Sequence, residues 1–190
     1  MKARLLVLPV VALLAVCGCS TVYYNAMEKV GVHKRDIMVD RVKDARDTQK
    51  ETKKQFLTAM EQFKSVVNFQ GGNLEKEYNK LNATLQKSEA AAAEVHSRIE
   101  AVEDVSGALF KEWRSEIKQY NSDALRQSSQ QKYDVTKKKY GELIDAMRKA
   151  ESKLEPALVP LRDQVLFMKH NLNAKAIAGL DRKTTQKIRR

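Results

Sequence analysis

The chain has 190 residues, 43% apolar and 31% charged, with a formal net charge of +11, a balance that excludes both a disordered polar chain and a protein embedded in the bilayer. Only 7 glycines and 3 prolines occur, so the punctuation that strands and hairpins need is missing and long helices are expected. The segment from Asp181 to Arg190 carries +4 of the charge, and the 28 basic side chains from Cys19 to Leu180 are interleaved with 23 acidic ones. This pattern reads as an ion-paired helical surface with a basic tail, not as a nucleic-acid stripe.

At the N-terminus, a basic start (Lys2, Arg4) precedes an apolar run from Leu5 to Val16 that contains Pro9. A helix needs about 20 apolar residues to cross a bilayer. The run is shorter and has the size of a signal-peptide core. Val16-Cys17-Gly18-Cys19 resembles a bacterial lipobox. The peptidase needs a small side chain before the cut, which Gly18 supplies for Cys19 and branched Val16 does not supply for Cys17. Cys19 is therefore the expected lipidation site, and Cys17 leaves with the leader. An uncleaved or conventionally cleaved leader, and a C-x-C metal or redox pair, are the alternatives. Two or three acyl chains, at about 0.8 kcal/mol per buried methylene, anchor a protein stably. Ser20, where Asp would retain a lipoprotein at the inner membrane, directs the chain to the periplasmic face of an outer membrane. Tyr23 and Tyr24 are candidates for the membrane interface.

Past a tether, Met38, Val42, Ala45, Gln49, Thr52, Phe56, Ala59, Phe63 and Val66 follow at alternating steps of four and three, the spacing of a coiled-coil seam. This helix covers 36 to 69 and stops at Gly71-Gly72, with Asn73 as cap of the next. A second seam runs Leu74, Tyr78, Leu81, Leu85, Ser88, Ala92, Val95, Ile99, Val102, Ser106, Leu109, Trp113 and on through Ile117 and Tyr120. If Gly107 is tolerated, at about 1 kcal/mol relative to Ala, it is one helix from 74 to 120. Asn121-Ser122-Asp123 makes a capped turn, and Ser129, Tyr133, Thr136, Tyr140, Leu143, Met147, Ala150 and Leu154 restart the alternation. Glu155-Pro156 and Val159-Pro160 are expected to interrupt it, because a residue before proline avoids the helical region. A fourth helix then places Leu161, Val165, Met168 and Leu172 on one face and ends near Ala178-Gly179. The fold class is all-α, an elongated antiparallel helical bundle or coiled coil of three to four long helices. Its divisions are a leader at 1–18, a lipidated tether at 19–35, the helical domain at 36–178 and a basic tail at 179–190.

Few residues point to chemistry. Asp36, Asp40, Asp44 and Asp47 are strung along a helix among Arg41, Lys43, Arg46 and Lys50 and read as a solvated face, since a calcium site needs six to eight converging oxygens. His33, His96 and His170 are scattered, so no metal is expected. Trp113 lies on the seam and reads as core. His170, Asn171 and Asn173 are poor helix formers in an otherwise good helix; they form either a polar layer between helices or a partner-binding patch. No P-loop, dinucleotide fingerprint, zincin motif or nucleophile elbow is present, so neither an enzyme nor a cofactor is expected.

The segment Tyr23-Tyr-Asn-Ala-Met-Glu-Lys-Val-Gly-Val-His-Lys-Arg-Asp36, together with VNFQGG (67–72), ALFKEW (108–113) and LRDQVLFMKHNLNAKAIA (161–178), resembles an uncharacterised family of bacterial envelope proteins with a coiled-coil body. The resemblance implies a helical fold and an envelope lipoprotein, and no catalytic residues. Members of that family usually continue past the equivalent of Leu180 into an acidic, alanine-rich helix, where this chain has DRKTTQKIRR. The expectation is a non-enzymatic, lipid-anchored periplasmic spacer or interaction scaffold. It would meet membrane lipid through Cys19, an envelope protein or anionic cell-wall polymer through its body, or a second copy of itself. The alternative is a cytoplasmic coiled-coil protein that binds nucleic acid through its basic tail.

Overall fold

The computed structural model describes residues 19–67 and 73–188. Five helices follow in order: α1 (Cys19–Lys29), α2 (Lys34–Val67), α3 (Leu74–Ile117), α4 (Asp123–Glu151) and α5 (Leu154–Ile188). They pack as an all-α bundle, and no strand occurs among the described residues. The double glycine expected to stop the first long helix, and the leader, lie outside the described residues. Asn73 caps α3 as its position suggests, its side-chain oxygen accepting from the Lys76 N–H at 3.1 Å. Ser122 caps α4 in the same way. Helix α3 passes through Gly107 without a break.

The helices form two units. The first comprises residues up to Val42 together with Ala101–Tyr140, and the second Lys43–Glu100 together with the chain from Gly141 onward. In the first unit the segment read as a tether is helical and docked. Helix α1 ends in a left-handed glycine, Gly31 at φ 85°. The Val32 N–H returns to the Met27 carbonyl (3.0 Å) and the Gly31 N–H to that of Glu28 (3.0 Å). This closure satisfies carbonyls at the end of α1, and Met27 and Val32 on either side of it pack against the cluster of Tyr24, Ile37 and Val105. The buried Lys34 ammonium then ties Glu28 of α1 (2.7 Å) to Glu112 of α3 (3.2 Å). Burial alone would lower the Lys34 pKa, but the hydrogen bonds to Glu28 and Glu112 outweigh it and hold the group above its ordinary value.

Tyr24 is the anchor of α1. Its side chain is fully enclosed and packs with Ile37 and Val105. Its hydroxyl donates to the Asp104 carboxylate and accepts from Arg41 Nη1 at 2.7 Å. The same Arg41 nitrogen donates to the Ala101 carbonyl at 2.7 Å. Burial first, and then the hydrogen bond to Asp104, push the phenol up to about 12, so it stays a donor across the physiological range. A second aromatic group in this unit joins α3 to α4: Phe110 and Trp113 meet Tyr133 edge-on at 5.6 and 5.7 Å, and the Trp113 indole N–H donates to Ser129 at 3.0 Å.

The core of the second unit is Phe56, Ala59 and Val66 of α2, Leu81 and Leu85 of α3, and Leu158, Leu161, Val165 and Met168 of α5. Paired contacts fix the directions: Asp44 meets Arg98, Thr52 meets the Ala91 carbonyl and Gln62 meets Thr84, so α2 and α3 run antiparallel here. Polar seam residues are satisfied locally, as where the Ser88 hydroxyl donates back to the Thr84 carbonyl at 2.9 Å. Among the described residues no buried side-chain polar atom lacks a hydrogen bond.

The prolines behave differently from expectation. The chain breaks at Ser152-Lys153 instead, and α5 begins at Leu154 and continues through Pro160. Pro156 falls in the first turn, where no N–H is required. Pro160 costs only the bond to the Pro156 carbonyl, and Pro156 is exposed to water. Helix α5 also runs to Ile188, beyond the Ala178-Gly179 stop expected from the sequence. The break is braced by Glu151, which accepts from Arg148 at 2.8 Å and pairs with His96 of α3 at 2.6 Å.

Two predictions follow from these joints. Tyr24→Phe leaves Arg41 and Asp104 partly unsatisfied and is expected to cost about 1–3 kcal/mol, whereas Tyr24→Ala also opens a cavity and is expected to cost about 3–5 kcal/mol. Urea melts measure both, and equal losses would mean that the hydroxyl network, not the ring, docks α1. The second concerns pH. The hydrogen bond to Glu151, and then the charge of Glu100, raise His96 above its ordinary 6.5. Burial pushes Glu151 up, but the bonds from Arg148 and His96 outweigh it and hold the carboxyl below its ordinary 4.5. A raised His stabilises fully below its unfolded value and loses this as pH rises through its folded one; a depressed Glu stabilises above its unfolded value and loses this as pH falls. The joint is therefore firmest between about pH 4.5 and 6.5. His96→Gln is expected to lower Tm most between about pH 4.5 and 6.5, with the difference from the parent fading as pH rises through the raised value of His96; a pH-independent difference would contradict this.

Candidate interaction surface

Cys19, the residue expected to carry lipid, is the first residue of α1. The two tyrosines that follow diverge. Tyr23 is 46% exposed and Tyr24 is enclosed, with the rings edge-on at 5.3 Å, so only Tyr23 is free to meet an interface. Tyr24 lies five positions after Cys19, a helical rise of about 7.5 Å. The body of the first unit is thus held close to the residue expected to carry the lipid.

His170 and Asn173 are exposed and Asn171 is half-buried, so the trio lies on the surface of α5 and not in a layer between helices. The packed face of α5 is the one the sequence identified: Leu161, Val165 and Met168, together with Leu158, are all below one-tenth exposed. The face turned away from the core carries a second apolar row. Val159, Leu166, Phe167 and Ile177 are 46%, 50%, 61% and 62% exposed. Val159, Asp163, Leu166, His170, Asn173 and Ile177 follow at alternating steps of four and three, so they line one stripe of the helix. Helix α5 is consequently apolar on its packed face and mixed on this outer one, where Val159, Leu166 and Ile177 alternate with polar residues and Phe167 stands beside them.

This second row was present in the sequence, but the stronger Leu161-Val165-Met168-Leu172 row masked it. The Tyr24–Arg41–Asp104 network had no comparable signal, since its members lie far apart in the chain. The outer stripe combines apolar side chains with an imidazole, an amide and a carboxylate. That set can bury against another helix and fix its register by hydrogen bonds. Elsewhere the acidic row of α2 is exposed, and Asp36, Asp44 and Asp47 of it meet Arg35, Arg98 and Arg46. Among the described residues no group of three or more His, Cys, Asp or Glu side chains is placed to hold a metal ion. No helix among them is long and apolar enough to cross a membrane.

The two faces of α5 make opposite predictions. Val165→Ala and Met168→Ala are expected to cost about 1–4 kcal/mol through cavities. Leu166→Ser and Phe167→Ser should change the stability of the isolated chain by no more than about 0.5 kcal/mol. Thermal or urea unfolding measures both pairs, and a loss above about 2 kcal/mol for the outer pair would mean that the chain itself covers that face.

Comparison with known proteins places this architecture. No curated protein and no solved structure matches the chain. The model of one family, described as "Protein of unknown function (DUF2959)", matches residues 23–189. That span takes in the whole of α2 to α5 and α1 from Tyr23 onward, so the chain belongs to this family of proteins of unknown function.

Proposed function

We propose that the protein is a non-enzymatic lipoprotein of the bacterial cell envelope, anchored through acylated Cys19 at the periplasmic face of the outer membrane. Its helical body serves as an interaction scaffold. The observation that carries the scaffold role is the second, outward apolar row of α5, Val159, Leu166, Phe167 and Ile177. Val159, Leu166 and Ile177 share one stripe with Asp163, His170 and Asn173, and Phe167 lies beside it; large apolar side chains grouped on one exposed side of a helix are characteristic of protein contacts. The docked α1 supports the anchor: with Tyr24 fixed so soon after Cys19, the scaffold is held near the membrane, and exposed Tyr23 is available to the headgroup region. The favoured partner is another envelope protein that presents an amphipathic helix to the α5 stripe.

A photo-crosslinking amino acid placed at Phe167 in cells tests this reading. The expected result is a discrete adduct with an envelope protein, lost on Leu166→Asp and absent when the probe stands at exposed Lys138 of α4. Cys19→Ser is expected to release the protein from the membrane fraction and to weaken the same adduct. Adducts with cytoplasmic proteins alone, or membrane association that survives Cys19→Ser, would overturn the proposal.

A further inference from the structure

The second unit contains a groove that neither the seam nor the α5 stripe accounts for. It lies where α2 passes the junction of α4 and α5 and has a volume of about 630 Å³, within the range of small-molecule sites. Its apolar lining comes from Phe56 and Met60 of α2, Val95 of α3, and Leu154 and Ala157 of α5. Ala150 and Ala157 also border the groove, and the chain breaks between them at Ser152-Lys153.

The rim is basic. Lys50 and Lys53 of α2 and Lys153 at the break all border the groove; all three are exposed and none has an ion pair among the described residues. The carboxylate that also borders it, Glu151, is already engaged by Arg148 and His96. Gln49 closes one end by donating to the Met147 carbonyl at 3.0 Å. An apolar trough edged by three ammonium groups is complementary to one chemical class, a hydrocarbon chain ending in an anion. We propose that this groove binds a long-chain fatty acid, the chain lying along Phe56, Met60 and Leu154 and the carboxylate meeting Lys50, Lys53 and Lys153. Binding would use hydrocarbon burial for affinity and charge-assisted hydrogen bonds for choice of head group. This inference does not rest on the Cys19 anchor or on the α5 stripe.

The test is photolabelling of the purified full-length protein in mild detergent with a diazirine analogue of palmitic acid, followed by peptide mapping. Label is expected to concentrate on the peptides that carry Phe56–Met60 and Leu154–Ala157. Unlabelled palmitate should compete about tenfold better than its methyl ester, a difference the triple change Lys50→Glu, Lys53→Glu and Lys153→Glu should erase. Ala157→Trp, which fills the groove, should abolish the focused label. Should that variant fail to fold, the ester and lysine comparisons still decide, because the lysines are exposed. Label spread along all helices would mean micelle partitioning only and would overturn the proposal. Equal competition by palmitate and its ester, or competition by a neutral amphipathic peptide alone, would overturn it as well.

Discussion

Each unit depends on the buried edge that α3 supplies to it. Val95 and Ile99 in one unit, and Val102 and Val105 in the other, are all about fully enclosed, and each such side chain contributes about 1.5–3 kcal/mol when buried. Against that sum the cost of Gly107, about 1 kcal/mol, is small, and nothing crowds the position where a Cβ would stand. The buried residues of α3 also include Thr84, Ser88 and Ser106, which could have disrupted the packing by leaving hydroxyls unpaired. Each donates to a carbonyl of the preceding turn, so small polar residues are carried in the core without an orphaned group.

Much of this was legible in the sequence because it follows from periodicity alone. Steps of four and three picked out Phe56, Ala59, Leu81, Leu85, Val95, Ile99 and Met147 as interior, and Asn73 as a cap. Where tertiary contacts decide, the local signal misled. Glu155-Pro156 and Val159-Pro160 suggested a break, yet Pro156 occupies a first turn and Pro160 sits in a helix held by Leu158, Leu161 and Val165. Three buried side chains on one helix outweigh one missing backbone bond. The N-terminal segment offered no seam, and its docking rests on long-range partners, Tyr24 with Asp104 and Lys34 with Glu112, that no spacing rule connects.

The candidate surface was half visible. His170 and Asn173 stood out as polar residues in a good helix, and the stripe they belong to, with Val159, Leu166 and Ile177, uses the same spacing as the core. The packed face of α5 is covered by the chain, and the outer one keeps Val159, Leu166, Phe167 and Ile177 exposed; the proposed binding role rests on that contrast.

The claim on which the functional reading turns is the anchor, because it fixes the compartment in which the α5 stripe meets its partner. Intact mass spectrometry of the protein extracted from the membranes of its own host tests it most directly. The account predicts a mature chain that begins at Cys19, lacks residues 1–18 and carries a diacylglyceryl group, with or without an added N-acyl chain. An unmodified thiol at Cys19, or a chain still joined to its leader, would contradict it.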